Sequence, residues 1–351
     1  MSKKSFSIKE SDIVDEYQLR VLNQKIDHSF IVKGCAGSGK SIMALLKAKE
    51  IQTNKAGSIL CIVKTNSLKS YMKEGISQYG IPDSRVVTYN KCFNWSKRDN
   101  QWIRGDWKMG LVDFILLDEA QDLTQGAIQL LMGKFKKAFF IFGDSAQQLY
   151  DFDKNNVPIS MEEIERVTKY HTELLHFNYR LPKKIARIAE YVNPSDNLEA
   201  RCQNEGNDMP KIFEYYSFEE QLDAIDSIIK ARGFKDVGIL LRSNPDVQTA
   251  YDYLRQKGNY EYRQTDKEDT LNFNSDNPKI MTYHNAKGLQ FEAVFLPECS
   301  CGDEDSRNAL YVALTRSYQS LYIMHSGNLS TFFDGIPTNL YESTTNETEE
   351  L

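Results

Sequence analysis

The chain has 351 residues, 41% hydrophobic and 26% charged, with a formal net charge of −6. That length exceeds one ordinary core and suits two, and no apolar run nears the about 18 residues of a membrane-spanning helix. The acidic balance excludes a protein that coats nucleic acid through bulk positive charge, but not one with a local basic groove.

The N-terminal MSKKSFSIKESD is polar and basic and lacks the apolar stretch of a signal peptide. Six cysteines (35, 61, 92, 202, 299, 301) show no CxxC pair and no secreted-scaffold density. The expectation is a cytoplasmic chain with reduced thiols, no membrane association and no metal at Cys299 and Cys301.

In chain order, short β-branched or aromatic runs alternate with helical segments. Strands are predicted at 29–34, 58–64, 85–89, 113–118 and 138–143. A second set follows at 173–177, 211–216, 237–242, 279–283, 293–297 and 320–325. Apolar strands interleaved with helices read as parallel sheets covered on both faces. Two such sets predict two α/β domains. The polar stretch DFDKNNVPISMEEIERVTKYH places the boundary near residue 172, giving domains 1–172 and 173–330. The acidic end, 331–351, holds YESTTNETEEL and is expected to be disordered.

GCAGSGKS, residues 34–41, fits the phosphate-loop pattern G-x-x-x-x-G-K-[ST], between an apolar strand and the helix KSIMALLKAKEI. Gly34, Gly37 and Gly39 let backbone N–H groups curl round phosphates without an obstructing Cβ. Cys35, Ala36 and Ser38 complete that backbone cradle. Lys40 would reach the β/γ-phosphates, and Ser41 would hold Mg²⁺. FILLDEAQD (114–122) is an apolar strand ending in two carboxylates. Asp118 is placed to bind Mg²⁺, and Glu119 to orient and deprotonate a water. The competing reading is that Asp118 and Glu119 merely cap the next helix. A kinase would leave the attacking position to a substrate hydroxyl, so Glu119 favours ATP hydrolysis.

These residues resemble the superfamily 1 helicases of the UvrD/Rep type, built on two RecA-like P-loop NTPase domains. The resemblance rests on DEYQLRVL (15–22), GCAGSGKS, DEAQD, FIFGDSAQQLYDF (140–152), FNYRLP (177–182), VGILLRSNPDVQTAYDYLRQKGNYEY (237–262), KIMTYHNAKGLQFEAVFLP (279–297) and RNALYVALTRS (307–317), in the family's order. It implies that Gln18 reads adenine, Tyr179 stacks on it, and Gln147 senses the γ-phosphate. Arg180 and Arg316 would approach the γ-phosphate from the second domain; alone, Arg316 is only a cation at a helix end. Phe152 would stack on a base, supported by Tyr150. Thr65, Asn66, Thr88, Thr282 and His284 would line the groove for the strand.

The chain departs from the family at three places. Lys64 stands where an aromatic is usual, and Gln290 where an acidic ribose contact is usual. Large accessory domains are missing, with only a short insertion at about 67–111 in the first domain. That insertion holds KCFNWSKRDNQWIRGDWK, with all three tryptophans, and reads either as a duplex-contacting hairpin or as a surface ribbon. The implied function is an ATP-driven, 3′→5′ motor on single-stranded DNA or a tailed duplex, using Mg²⁺. The alternative is an ATP-gated regulatory subunit of a nuclease or phage-defence complex.

Overall fold

The computed structural model describes residues 13, 15–35, 37–98, 101–144, 157–194, 197–263, 271–273, 275–300 and 303–343. Its contacts divide the chain into two units, Met1–His176 and Phe177–Leu351.

In the first unit, helix α1 (Glu16–Asn23) is capped by the Asp15 carboxylate, which accepts the Gln18 N–H. Strand β1 (Phe30–Gly34) leads to α2 (Lys40–Thr53), and β2 (Ile59–Val63) to α3 (Asn66–Ser77). After β3 (Val86–Thr88) come the antiparallel strands β4 (Phe93–Arg98) and β5 (Gln101–Trp107). Then follow β6 (Val112–Leu117), α4 (Gln125–Met132), β7 (Phe135–Gly143), α5 (Met161–Thr168) and β8 (His171–Leu175). Among the described residues the main sheet runs β3-β2-β6-β7-β1-β8 with every pair parallel.

Continuous apolar strands cover this sheet on both faces, because successive side chains point opposite ways. Phe30, Val32, Cys61, Val63, Phe114, Leu116, Phe140 and Phe142 pack with α2 and α3. Ile31, Leu60, Ile62, Ile115, Leu117, Phe139 and Ile141 pack with α4 and α5.

The second unit opens with β9 (Asn178–Pro182), α6 (Lys183–Val192), α7 (Leu198–Arg201) and β10 (Cys202–Asn204), β9 pairing with β10. Its main sheet is built from β11 (Lys211–Tyr215), α8 (Phe218–Arg232), β12 (Val237–Leu241), α9 (Asn244–Leu254), β13 (Glu261–Tyr262) and β14 (Lys279–Thr282). It is completed by β15 (Phe291–Leu296), α10 (Glu304–Leu314), β16 (Ser317–Ser326) and β17 (Glu342–Ser343). The order is β13-β14-β12-β15-β16-β11-β17, all parallel.

Three expectations change. The strand expected at 173–177 is β8, and it belongs to the first sheet: His171–Leu175 pairs with Phe30–Gly34. The boundary therefore moves from 172 to 176. The polar stretch before it is partly a helix, α5, closed by a Ser160–Glu163 capping box and anchored by buried Met161 and Ile164.

The insertion is narrower than 67–111. Leu68, Met72 and Ile76 of α3 lie in the core, and β3 pairs with β2, which leaves the β4–β5 hairpin as the addition. The tail is also not wholly without structure. Phe332, Phe333 and Ile336 are buried, and β17 pairs with β11, so the described part of this segment is folded. Apolar side chains this sparse make no periodic pattern; the turn Thr331–Phe333 lies against α6, with the Arg307 guanidinium over the Phe332 ring.

Candidate functional site

The described site residues of the first unit sit at the carboxyl ends of the parallel strands, where open α/β sheets present their ligand crevices. Gly34 ends β1, Asp118 follows β6, and Asp144 follows β7; Lys64 follows β2 and Thr88 ends β3.

In the loop after β1, Gly37 and Gly39 hold positive φ angles of 71° and 93°, which L side chains resist. A Cβ on Gly34 would lie 2.4 Å from Ser38 Oγ, and one on Gly39 2.8 Å from Gln18 Nε2. Lys40, 7% exposed, folds across the loop and donates to the Gly34 and Cys35 carbonyls at 2.8 and 2.9 Å. It also pairs with Asp144 at 3.8 Å. Gln18 donates to the Ser38 carbonyl at 3.0 Å, so the adenine-reading candidate touches the phosphate loop. Ser38 Oγ is buried with no hydrogen-bond partner among the described residues. A glycine-shaped cradle with an orphaned hydroxyl and an enclosed ammonium fits a polyphosphate.

Ser41 Oγ donates to Asp118 Oδ2 at 2.6 Å, joining the two candidate magnesium ligands. Asp118 and Glu119 are 2% and 5% exposed. Burial raises the Asp118 carboxyl well above its ordinary value, and the neighbouring Glu119 adds to that shift; Ser41 and Lys40 oppose it. Adjacent buried carboxylates that resist ionising together suit a divalent cation beside them. No cluster of three or more metal-ligating carboxylate, thiol or imidazole groups occurs among the described residues.

The capping alternative fails at the side chain: Glu119 stands at the N-cap position of the short turn Ala120–Asp122, but no side chain caps that turn. Helix α4 is capped by Thr124, whose Oγ1 accepts the Ala127 N–H, while Asp118 accepts the Glu119 N–H. Glu119 sits at φ 57°, the left-handed region. Gln121, a neutral residue inside DEAQD, is fully buried and donates to Glu119 Oε2 at 2.5 Å. Its own Oε1 accepts the Asp144 N–H at 2.9 Å. The only signal for it was its place inside DEAQD.

Of the strand-groove candidates, Lys64, Asn66 and Thr88 line one cavity. Thr65 caps α3, accepting the Leu68 N–H at 3.1 Å, so its hydroxyl serves the helix. Lys64 donates to the Asp122 carbonyl at 3.4 Å, which ties this region to the carboxylate segment. Ala36, Gln147, Tyr150 and Phe152 lie outside the described residues.

In the second unit, Tyr179 is 41% exposed on β9, with its ring edge-on to Phe177. The Asn178 side-chain oxygen accepts the N–H groups of Arg180 and Leu181, both at 2.9 Å, and so braces the start of β9. Thr282 is buried and accepts the Asn285 N–H, whereas His284 is exposed. Arg316 is no solvated cation: it is 3% exposed. Its guanidinium donates to the Val312 carbonyl (2.8 Å), the Leu289 carbonyl (3.3 Å) and Thr315 Oγ1 (2.9 Å). The Phe291 N–H donates to the Arg316 carbonyl, which brings Gln290 close to Arg316 in the fold. Gln290 Oε1 is buried without a partner among the described residues.

A phosphate loop between strand and helix, with carboxylates at the end of a nearby strand, defines the P-loop NTPase class. Residues 30–325 match the viral superfamily 1 RNA helicase core domain, and the chain belongs to that family. It is 27% identical over 217 residues to the probable DNA helicase II homolog of Mycoplasma genitalium, covering 55% of this chain and 30% of that protein. It is 24% identical over 249 residues to the ATP-dependent DNA helicase PcrA of Staphylococcus aureus, covering 57% and 32%. The chain thus spans about a third of the length of these curated relatives. A solved structure of PRRSV helicase overlaps 88% of this chain and 54% of its own, with 14% identity and a TM-score of 0.44. No described helix is long and apolar enough to cross a membrane.

Proposed function

We propose that the chain is an ATP-driven single-stranded-DNA translocase and helicase, moving 3′→5′. The observation that carries this reading is one linked set of groups at the strand ends: Lys40 with Asp144, Ser41 with Asp118, and Glu119 with Asp144 through Gln121.

Mg²⁺ held by Ser41 and Asp118 would shield the phosphate oxygens. Lys40 would exchange its loop carbonyls for the β/γ-phosphates. Glu119, its plane held by Gln121, would take the proton of the water that attacks the γ-phosphorus as the bond to the β-phosphate oxygen breaks. Gln18 and Tyr179 would hold adenine, and Gln290 the ribose. Arg180 and Arg316 would answer the developing charge, and Gln147 would report the γ-phosphate to the strand. Lys64, Asn66, Thr88, Thr282, His284, Tyr150 and Phe152 would line the strand path. Contacts that differ between nucleotide states couple hydrolysis to movement.

The relatives' printed names support DNA, while the family's description names RNA. The direction rests on the motif resemblance. The test is ATPase activity with and without single-stranded DNA or RNA, then displacement of 3′-tailed and 5′-tailed duplexes. Strong stimulation by DNA with displacement of the 3′-tailed duplex is expected. Saturable binding with little turnover would overturn the motor and favour an ATP-gated binding subunit.

A further inference from the structure

The open pocket that contains Lys64, Asn66 and Thr88 is also lined by residues with no role so far: Asn90, Lys91 and Trp95. Its volume is about 530 Å³, within the range of ligand-sized pockets. All six lining residues lie in the first unit, at the junction of the β2 and β3 ends with the hairpin.

The hairpin is firmly seated. Phe93 is 2% exposed and meets Tyr89 and Trp107 edge-on at 5.2 and 5.6 Å, with the Arg104 guanidinium over its ring at 4.8 Å. Trp107 packs against the core and donates its indole N–H to the Gly110 carbonyl. The register shifts between Phe93 and Trp95, where the ladder passes from Phe93↔Trp107 to Trp95↔Arg104. Past that irregularity Trp95 is 40% exposed, and its indole N–H donates to the Asn90 carbonyl at 2.8 Å. Its ring is therefore held by a hydrogen bond while much of its apolar surface meets water. The two tryptophans thus differ in kind: Trp107 anchors the hairpin and Trp95 is presented by it.

We propose that Trp95 is a base-stacking platform, and that Lys64, Asn66, Thr88, Asn90, Lys91 and Trp95 together hold one nucleotide of a single strand. The chemistry divides cleanly. An oriented aromatic face takes a base of any sequence, and the ammonium groups of Lys64 and Lys91 take the phosphate. Asn66 Oδ1 is buried without a donor among the described residues, which suits an incoming base amino group or sugar hydroxyl. The Lys64–Asp122 hydrogen bond places this pocket one contact from the carboxylate segment.

This pocket rests on the strand-binding reading above, and the test separates the two. Oligothymidylate of about 16 nucleotides and thymidine monophosphate are titrated separately into the full chain, read by tryptophan fluorescence and by anisotropy of a labelled strand. The oligomer is expected to quench the wild type. Trp95→Phe should still bind, within about threefold, but lose most of that quench. Trp95→Ala should bind about 5- to 150-fold more weakly, with its fold verified by circular-dichroism melting. If Trp95→Ala fails to fold, the quench lost in Trp95→Phe decides. Unchanged quench in Trp95→Phe, or unchanged affinity in a folded Trp95→Ala, overturns the pocket alone. Monophosphate binding as tight as the oligomer also overturns it, assigning the pocket to free nucleotide. A wild type that binds no strand overturns the function proposed above instead.

Discussion

Gln121 holds Glu119. Its amide donates to the Glu119 carboxylate at 2.5 Å from a fully buried position, and its carbonyl oxygen is fixed in turn by the Asp144 N–H. Space allows little else: a Cβ on Gly143 would come within 2.6 Å of that same oxygen. Glu119 thus has a set orientation even though it stands in the left-handed backbone region outside any helix. The arrangement suits a base that must meet a water at one angle.

Glu119→Gln should keep ATP binding and lose turnover by about 10²- to 10⁴-fold, measured as nucleotide affinity beside steady-state hydrolysis. Turnover near wild type would remove Glu119 as the base.

Gln121→Ala should lower kcat more than it changes KM for ATP, since it frees the proposed base Glu119 and leaves the candidate phosphate loop intact. It also leaves the buried Asp144 N–H without its acceptor, which costs about 1–3 kcal/mol. Urea titration beside kinetics separates the two effects. A drop in stability with kcat unchanged would make Gln121 structural only.

Arg316→Ala is expected to bind ATP and DNA but to hydrolyse ATP poorly. Its burial adds a second consequence. The Val312 and Leu289 carbonyls lose a charged donor, so the second unit should lose about 1–3 kcal/mol. Thermal melting and strand-stimulated ATPase are measured together; full hydrolysis in a destabilised variant would leave Arg316 as a strut.

Phe333→Ala should destabilise the protein by about 3–5 kcal/mol, the usual cost for a buried phenylalanine, since Phe333 is 5% exposed. A midpoint unchanged in urea would return 331–343 to a loose tail.

Cys61 and Cys92 should resist iodoacetamide at pH 8 in the native protein and react once it is unfolded. Burial pushes both thiols up to about 12, so the thiolate that reacts is scarce until folding is lost. Peptide mass mapping with and without urea checks this; rapid native labelling would contradict the packing of β2 at Cys61 or of the turn Tyr89–Cys92 at Cys92.

Much of the candidate nucleotide end is legible in the chain itself. A glycine-rich loop needs particular residues at particular spacings because backbone N–H groups must converge, and that requirement is local. Lys40, Ser41 and Asp118 are therefore readable as candidates before any fold, as are the apolar strands that carry them. Other features depend on residues distant in sequence. Strand β8 looked like the start of a second sheet, and only its pairing with β1 assigns it to the first. Phe332 and Phe333 look unremarkable until a surface exists to bury them. Three tryptophans within 13 residues read alike, yet packing seats Trp107 on the core and a hydrogen bond presents Trp95 to a cavity. The sequence alone determined which groups could meet a phosphate, because that chemistry lies in contiguous backbone. Tertiary structure alone decided which neutral side chains would orient them and which aromatic would face solvent, because those outcomes depend on neighbours that the chain order does not specify.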